Sequence, residues 1–193
     1  INLNLPEIKN KKSAKKDLGL TNSNYVSFIG LIRKYKGLGV LINSFKYLKN
    51  ENVKLIIAGE FYEPIDKYLN IIKELNLSEK IIIDNNFLDS KKIRDYMCAS
   101  DLVIQPYIKA SQSGITPVAY FYETPLIVSN IKGLREIVER DNSGEVFNKT
   151  SENLSKVILN SLKNNNQETY RDNIKKSKLR YTWSRFIQEI EKV

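Results

Sequence analysis

Two basic side chains stand close together early in the chain, at a spacing that suits phosphate binding. Arg33 and Lys36 belong to the segment GLIRKYKG at residues 30–37, which directly follows an apolar run at residues 25–29. A guanidinium can offer paired hydrogen bonds to an anion, and an ammonium acts as a point charge. The pattern therefore predicts a diphosphate site at the end of a strand. The same residues also fit a solvated basic turn.

A second segment carries small hydroxyl residues and a glycine ahead of a predicted helix. Residues 110–116 read ASQSGIT and follow an apolar run at residues 101–105. Free backbone N–H groups at the start of a helix bind anions, and Gly114 lets a ligand approach the backbone closely. The alternative is ordinary capping of the helix by Ser111 or Ser113. Together with the basic turn, the segment predicts a two-walled anion site.

The apolar pattern around these segments alternates short runs with helical periodicity. Strands are predicted at residues 25–30, 53–58, 80–83, 101–105, 125–128 and 144–147. Helices are predicted between them at residues 38–48, 64–75, 91–98, 111–122 and 134–139, with Ser90 as the cap of the third. The alternation predicts an α/β fold, a Rossmann-like doubly wound parallel sheet of about six strands with helices on both faces and a C-terminal helical extension. Ligands bind such sheets at the carboxyl ends of the strands, where both segments would lie.

The same pattern divides the chain into three parts. The chain opens with INLNLPEIKN and not with methionine, so we expect residues 1–20 to be a linker from a missing N-terminal domain. Residues 21–165 form the α/β domain, and residues 166–193 form a C-terminal helix. No apolar run reaches the roughly 20 residues that span a bilayer. The single Cys98 excludes an internal disulfide and fits a cytoplasmic location.

The charge and the histidine content narrow the classes of function. The chain has a net charge of +9 and no histidine, so neither a His-based metal site nor a histidine general base can form within it. The basic clusters at residues 9–16 and 175–180 lack interleaved aromatic residues, which argues against nucleic acid as a partner. An anionic membrane surface remains a candidate partner. The charge equally fits a lysine-rich composition with no partner.

Taken in order, the segments resemble the C-terminal domain of family 4 retaining glycosyltransferases, which have the GT-B fold. The matching pieces are FIGLIRKYKGL at 28–38, LIIAG at 55–59, SDLVIQP at 100–106, SQSGI at 111–115, TPLIVS at 124–129, GLREIV at 133–138 and YTWS at 181–184. They span about residues 25 to 190 in the right order. The series as a whole carries the resemblance, since each piece alone is weak.

The resemblance implies a site for a nucleoside diphosphate sugar, with no metal and no cofactor other than this donor. Arg33 and Lys36 would be the catalytic residues, because they would neutralise the diphosphate as it leaves. The donor-binding residues would be Gly30, Asn86, Phe87, Leu88, Ser111, Gln112, Ser113, Gly114, Ile115 and Thr116. Within this set, the backbone of residues 86–88 would meet the base, the N–H groups of residues 114–116 would hold the phosphates, and the side chain at 112 would contact the sugar.

Four positions depart from the family pattern. The family commonly carries two glutamates eight positions apart, and these positions fall on Ala110 and Val118. Where the family usually has a small residue ahead of the proline turn, this chain has Glu123. Where the family usually has an arginine after the first-strand glycine, this chain has Leu31. A non-catalytic nucleotide-sugar-binding or scaffolding domain of the same fold is therefore the alternative function.

The resemblance also predicts the setting of the full-length protein. We expect a glycosyltransferase of the hexosyltransferase type that moves a sugar to a glycan or lipid-linked acceptor in bacterial surface polysaccharide synthesis. It would act in the cytoplasm, with membrane association on the cytoplasmic face, and the chain by itself would turn over little. A response-regulator or flavodoxin-like domain lacks support, because no acidic pair follows the first strand and no G-x-G-x-x-G turn occurs.

Overall fold

The computed structural model describes residues 5–163 and 166–178. Six parallel strands form one sheet: β1 (Asn24–Ile29), β2 (Val53–Ala58), β3 (Ile81–Asp84), β4 (Leu102–Gln105), β5 (Leu126–Ser129) and β6 (Gly144–Phe147). Their order across the sheet is β3-β2-β1-β4-β5-β6, so the order reverses between β1 and β4. This arrangement confirms the predicted Rossmann-like, doubly wound sheet.

Within the described ranges, eight α-helices accompany the strands. They are α1 (Lys11–Asp17), α2 (Leu38–Ser44), α3 (Asp66–Glu74), α4 (Ser90–Ala99), α5 (Ile115–Phe121), α6 (Lys132–Asp141), α7 (Ser151–Lys163) and α8 (Asn166–Ser177). Single turns of 3₁₀-helix precede and follow α2 at Lys34–Lys36 and Phe45–Tyr47. Every residue of β4 and β5 is buried, which is typical of parallel strands covered on both faces.

The starts of α4 and α5 differ from the sequence prediction. The prediction that Ser90 caps α4 is wrong, because Asp89 caps this helix and its Oδ1 accepts the N–H of Lys92 at 2.7 Å. The carboxylate of aspartate is a strong acceptor for the free N–H groups of a first turn. Helix α5 begins at Ile115 and not at residue 111, because residues 111–114 form the turn that leads into it.

The segment predicted to be a linker contains helix α1. Asn10 caps it by accepting the N–H of Lys12 at 2.9 Å, and α1 packs against α4 with Ala14 buried. The ammonium of Lys11 donates to Asp101 Oδ1 at 2.6 Å, just ahead of β4. These contacts pack α1 against α4, near the amino end of β4. Its sequence lacks an apolar stripe, which is why periodicity does not reveal it.

The remaining predictions for the ends of the chain fall outside the described residues. Residues 1–4 and 179–193 belong to this group, including the YTWS segment at 181–184 and the end of the predicted C-terminal helix. Of the predicted helical extension, the structure describes α7 and α8. In the described part of the chain, no helix is both long enough and apolar enough to span a membrane.

Candidate functional site

A cleft of about 270 Å³ lies where the strand order reverses between β1 and β4. We call it the switch-point cleft, and it is lined by Gly30, Leu31, Tyr35, Lys36, Tyr107, Gln112, Ser113, Gly114 and Ile115. The first four follow β1, Tyr107 follows β4, and the others lead into α5. Open α/β sheets bind ligands at this position. The structure thus brings together the two segments that the sequence predicts to form one site.

Lys36 supplies the positive charge of the switch-point cleft. Its Nζ lies 3.6 Å from the place that a Cβ on Gly30 would occupy, and 5.6 Å from the ring centroid of Tyr107. The side chain is half-buried, and it has neither a hydrogen bond nor an ion pair with any described residue. Burial, followed by the charge of Arg33, lowers the pKa of the Lys36 ammonium from its ordinary value. A half-buried cation without a counter-ion favours the binding of an anion.

Gly37 holds the turn that carries Lys36 against the end of β4. Its φ is +69°, in the left-handed region, and a Cβ there would lie 2.0 Å from the carbonyl oxygen of Pro106. Both features require glycine. A second tie runs from the N–H of Ile108 to the carbonyl oxygen of Tyr35 at 2.7 Å. The turn after β1 is therefore fixed to the segment after β4, and both segments line the cleft.

Arg33 points away from the switch-point cleft. Its guanidinium carbon lies 4.8 Å from the ring centroid of Tyr62, and it lines a neighbouring groove. The cause is a bridge between Ile32 and Phe61, which extends the backbone here and turns the fully buried Ile32 inward. Successive side chains of an extended segment point to opposite sides, so Arg33 is exposed, and its stacking on Tyr62 holds it in the neighbouring groove. Of the two predicted catalytic cations, the cleft is lined by Lys36 alone.

The loop ahead of α5 lines the cleft with residues 112–115. Ser113 Oγ accepts the N–H of Ile115 at 3.2 Å and lies 3.2 Å from the hydroxyl oxygen of Tyr107. Ser111 does not line the cleft, and a Cβ on Gly133 would be only 1.8 Å from the carbonyl oxygen of Ser111. The start of α6 therefore packs directly on the loop and sets its position.

Thr116 differs from the other predicted phosphate-binding residues, because it is buried beneath the cleft. Its N–H donates to the carbonyl oxygen of Ser113 at 3.3 Å. Its hydroxyl pairs with the side chain of Gln105, at 3.2 Å from the amide nitrogen and 3.3 Å from the amide oxygen. The N–H predicted to hold a phosphate is already bonded within the turn, so Thr116 supports the loop from below.

The residues predicted to meet the base lie beyond β3, two strands away from β1. Leu88 is buried, Phe87 is 73% exposed, and the amide of Asn86 donates to Asp84 Oδ1 at 2.5 Å. They do not line the switch-point cleft. Two strand spacings amount to about 10 Å, a separation that a nucleoside could bridge from a diphosphate beside Lys36.

Two tyrosines of the cleft do not stand out in the sequence. Burial raises the pKa of Tyr107 to about 12, and its ring packs edge-on against Tyr35 with a centroid separation of 6.2 Å. Their position in the sequence is the one feature that could identify them, since residues that directly follow a strand of a parallel sheet lie at the ligand-binding edge. Tyr107 follows β4 and Pro106, and Tyr35 lies within the basic turn.

None of the positions that depart from the family pattern places a carboxylate in the cleft. Val118 is buried in the hydrophobic core, and Ala110 packs against that core. Glu123 ends α5 in the left-handed region, with φ of +56°, and its carboxylate accepts a hydrogen bond from Lys178 Nζ at 2.7 Å. Leu31 lines the cleft where the family's arginine would stand. Among the residues that the structure describes, no three metal-ligating side chains converge.

Residues 10–180 match the family described as glycosyl transferases group 1. The chain belongs to this family. An uncharacterized glycosyltransferase of Methanocaldococcus jannaschii is 24% identical over 172 residues, which are 88% of this chain and 47% of the relative. The capsular polysaccharide biosynthesis glycosyltransferase CapM of Staphylococcus aureus is 27% identical over 186 residues, which are 87% of this chain and 44% of CapM. The chain spans less than half the length of both relatives.

Two solved structures share the fold. HepE of Anabaena superposes with a TM-score of 0.83 at 19% identity, covering 94% of this chain and 51% of HepE. The C-terminal domain of LpcC from Francisella tularensis superposes with a TM-score of 0.76 at 19% identity, covering 87% of this chain and 90% of that domain. The chain therefore has the fold of a C-terminal GT-B domain.

Proposed function

We propose that the chain is the donor-binding half of a retaining glycosyltransferase. It would hold a nucleoside diphosphate sugar in the switch-point cleft, and the full-length enzyme would pass the sugar to a glycan or lipid-linked acceptor. Lys36 carries the proposal, because its half-buried ammonium has no counter-ion among the described residues. The negative charge of a diphosphate would balance this ammonium. As the bond to the sugar breaks, negative charge grows on the same phosphate, and Lys36 would stabilise it.

The walls of the cleft support the same ligand. Gln112 and the open face of Gly114 line it beside Lys36, which leaves room for a phosphate next to the backbone. Exposed Phe87 offers an apolar face for a base at the β3 end of the sheet. HepE has been solved with UDP and with UDP-glucose, which favours a uridine diphosphate hexose as the donor here. The role of CapM favours surface polysaccharide synthesis as the setting.

The remaining parts of the proposal concern partners. The length of the relatives favours a preceding domain that brings the acceptor to the cleft. The net charge of +9 favours peripheral contact with an anionic membrane on the cytoplasmic face. Lys12 and Lys16 of α1 are exposed, and they would make that contact.

A titration of the 193-residue chain with nucleoside diphosphates tests the proposal. We expect UDP to shift the backbone amide resonances of Gly30, Lys36 and Gly114. Lys36→Ala should weaken binding about tenfold, because one charge-assisted contact is lost. Lys46→Ala is the matched control, since Lys46 is an exposed lysine that stacks on Tyr47 away from the cleft. Binding that survives Lys36→Ala unchanged, or an absence of shifts with every nucleoside diphosphate, would contradict the proposal.

The loss of acids at Ala110 and Val118 favours a second candidate, a nucleotide-sugar-binding domain without catalysis. Neither alanine nor valine carries a carboxylate, and the two side chains pack in or against the apolar core. The two functions differ in the full-length protein. An Arg33→Ala, Lys36→Ala double variant should lower sugar transfer if the protein is a transferase, and should leave any transfer unaffected if the domain only binds or scaffolds.

A further inference from the structure

Tyr107 contacts both of the other segments that line the switch-point cleft. Its ring packs edge-on against Tyr35, and the Nζ of Lys36 lies over the same ring at 5.6 Å from its centroid. Its hydroxyl oxygen lies 3.2 Å from Ser113 Oγ, in the loop ahead of α5. Tyr107 is only 4% exposed, so its ring has little room to move. This residue therefore links the turn that carries Lys36 to the loop ahead of α5.

Two hydrogen bonds fix the backbone at Tyr107. Its carbonyl oxygen accepts a hydrogen bond at 2.7 Å from the hydroxyl of Ser129, which is buried at the end of β5. The next N–H along the chain, that of Ile108, donates to the carbonyl oxygen of Tyr35 at 2.7 Å. Breaking a buried hydrogen bond leaves polar atoms without a partner, so such bonds hold their groups in place. The ring of Tyr107 therefore extends from a backbone that is tied both to β5 and to the basic turn.

Lys36 is the side chain that gains from this fixed ring. Among the described residues that line the cleft, it is the only cation. Its ammonium has neither a hydrogen bond nor an ion pair with any described residue, and its four-carbon stem is flexible. Ordering such a side chain when a ligand binds costs conformational entropy. A cation–π contact with Tyr107 orders the ammonium before the ligand binds, and therefore reduces that cost.

We propose that Tyr107 is a positioning residue for the donor diphosphate and that it acts through Lys36. The ring holds the ammonium beside Gly30, where Nζ lies 3.6 Å from the place that a Cβ would occupy. The hydroxyl contributes less, because Ser113 Oγ also accepts the N–H of Ile115 and keeps this bond without Tyr107. This inference rests on the proposed function, because the positioned ammonium needs a diphosphate as its ligand.

Titration of the 193-residue chain with UDP tests the ring and the hydroxyl separately. Tyr107→Leu removes the ring and should weaken UDP binding about fivefold, which corresponds to the loss of one cation–π contact. Tyr107→Phe keeps the ring and should bind UDP within about twofold of the wild type. If Tyr107→Phe loses as much affinity as Tyr107→Leu, the hydroxyl is the important group and the inference is overturned.

Tyr68→Leu is the matched control for loss of a buried ring. Tyr68 is also 4% exposed and has the ammonium of Lys67 over its ring, at 4.6 Å from the centroid, but it does not line the cleft. Its replacement should leave UDP affinity within about twofold of the wild type. A loss equal to that of Tyr107→Leu would mean that any buried tyrosine supports the cleft, and would overturn the inference.

A double-mutant cycle tests whether the ring acts through Lys36. Once Lys36→Ala has removed the ammonium, the added Tyr107→Leu change should cause no further loss of UDP affinity. Residues that act through one interaction give such non-additive effects, whereas independent residues give additive ones. Additive losses would show that Tyr107 supports the cleft without Lys36, and would overturn the inference.

The ε-methylene protons of Lys36 report the contact in the absence of ligand. The ring current of Tyr107 should shift their NMR signals upfield of those of exposed Lys12, and Tyr107→Phe should preserve this shift. The measurement keeps the inference testable even if Tyr107→Leu does not fold. If UDP binds while the Lys36 signals lie at the ordinary position, the inference alone is overturned. If UDP does not bind the wild-type chain, the donor site is contradicted and the inference falls with it.

Discussion

The charge of Arg33 lowers the pKa of the Lys36 ammonium, although the two side chains face different spaces. Lys36 lies in the switch-point cleft over Gly30, and Arg33 stacks on Tyr62 in the adjoining groove. Burial is the larger cause of the lowered pKa, and Arg33 adds to it. The two sites are therefore coupled electrostatically through one turn of the backbone, and this coupling can be measured.

The first prediction concerns the pH dependence of nucleotide binding. Only the protonated Lys36 attracts a diphosphate, and its pKa in the free chain lies below the ordinary 10.5. Affinity for UDP should be full below that lowered pKa and should fall as the pH rises through it. Calorimetric titrations over a series of alkaline pH values measure the fall. The expected midpoint lies lower than for an ordinary lysine.

Lys36→Arg is the control for this pH series. A guanidinium remains protonated throughout the range, so this variant reports only the titration of UDP itself. The difference between the wild-type and Lys36→Arg curves isolates the lysine. Identical alkaline curves for the two proteins would show that Lys36 does not hold the diphosphate.

The second prediction uses the Arg33→Ala variant to measure the electrostatic coupling between Arg33 and Lys36. Because Arg33 points into the groove, its removal should leave UDP affinity at neutral pH within about twofold, a change smaller than the loss of one hydrogen bond. The same substitution removes a repelling charge, so the alkaline fall in affinity should move to higher pH. A loss of about tenfold or more at neutral pH would instead place Arg33 on the donor diphosphate, as the sequence pattern predicts.

The third prediction concerns the turn that positions Lys36. Gly37→Ala should lower the free energy of unfolding by at least about 2 kcal/mol, through left-handed strain and a clash with Pro106. Gly39→Ala is the control, because Gly39 lies in α2 and has no atom within 4 Å of its added Cβ. That variant should be more stable by about 0.5–1 kcal/mol. Urea unfolding measures both, and equal effects would contradict the assigned packing of Gly37.

The sequence predicts the sheet better than it predicts side-chain direction. The bounds of β2 and β6 agree with the apolar runs at 53–58 and 144–147, since buried parallel strands consist of short apolar runs. The outward direction of Arg33 depends on the bridge between Ile32 and Phe61. That bridge joins residues far apart in sequence, so no local pattern reveals it.

Helix α1 and Tyr107 show two other limits. The sequence of α1 is rich in lysine and lacks the apolar stripe that marks amphipathic helices. Only Ala14 of this helix is buried. Tyr107 belongs to the cleft because β4 lies beside β1. Strand order follows from tertiary packing, and the alternation of strands and helices does not specify it.

The fourth prediction tests whether α6 positions the loop ahead of α5. A Cβ on Gly133 would lie 1.8 Å from the carbonyl oxygen of Ser111, so Gly133→Ala must push the loop or the helix aside. Residues 112–115 of that loop line the switch-point cleft. We expect UDP affinity to fall about tenfold, although Gly133 does not line the cleft itself. The loss should come with a drop of about 1–3 kcal/mol in the free energy of unfolding.

Gly39→Ala again serves as the control, because it adds a methyl group to a helix without a clash. Amide shifts distinguish a displaced loop from general destabilisation. With Gly133→Ala, the resonances of Gln112 and Ser113 should move in the absence of ligand, and those of β2 should stay in place. Unchanged UDP affinity in a destabilised Gly133→Ala chain would mean that the loop keeps its position without α6, and that the phosphate contacts come from the Lys36 turn.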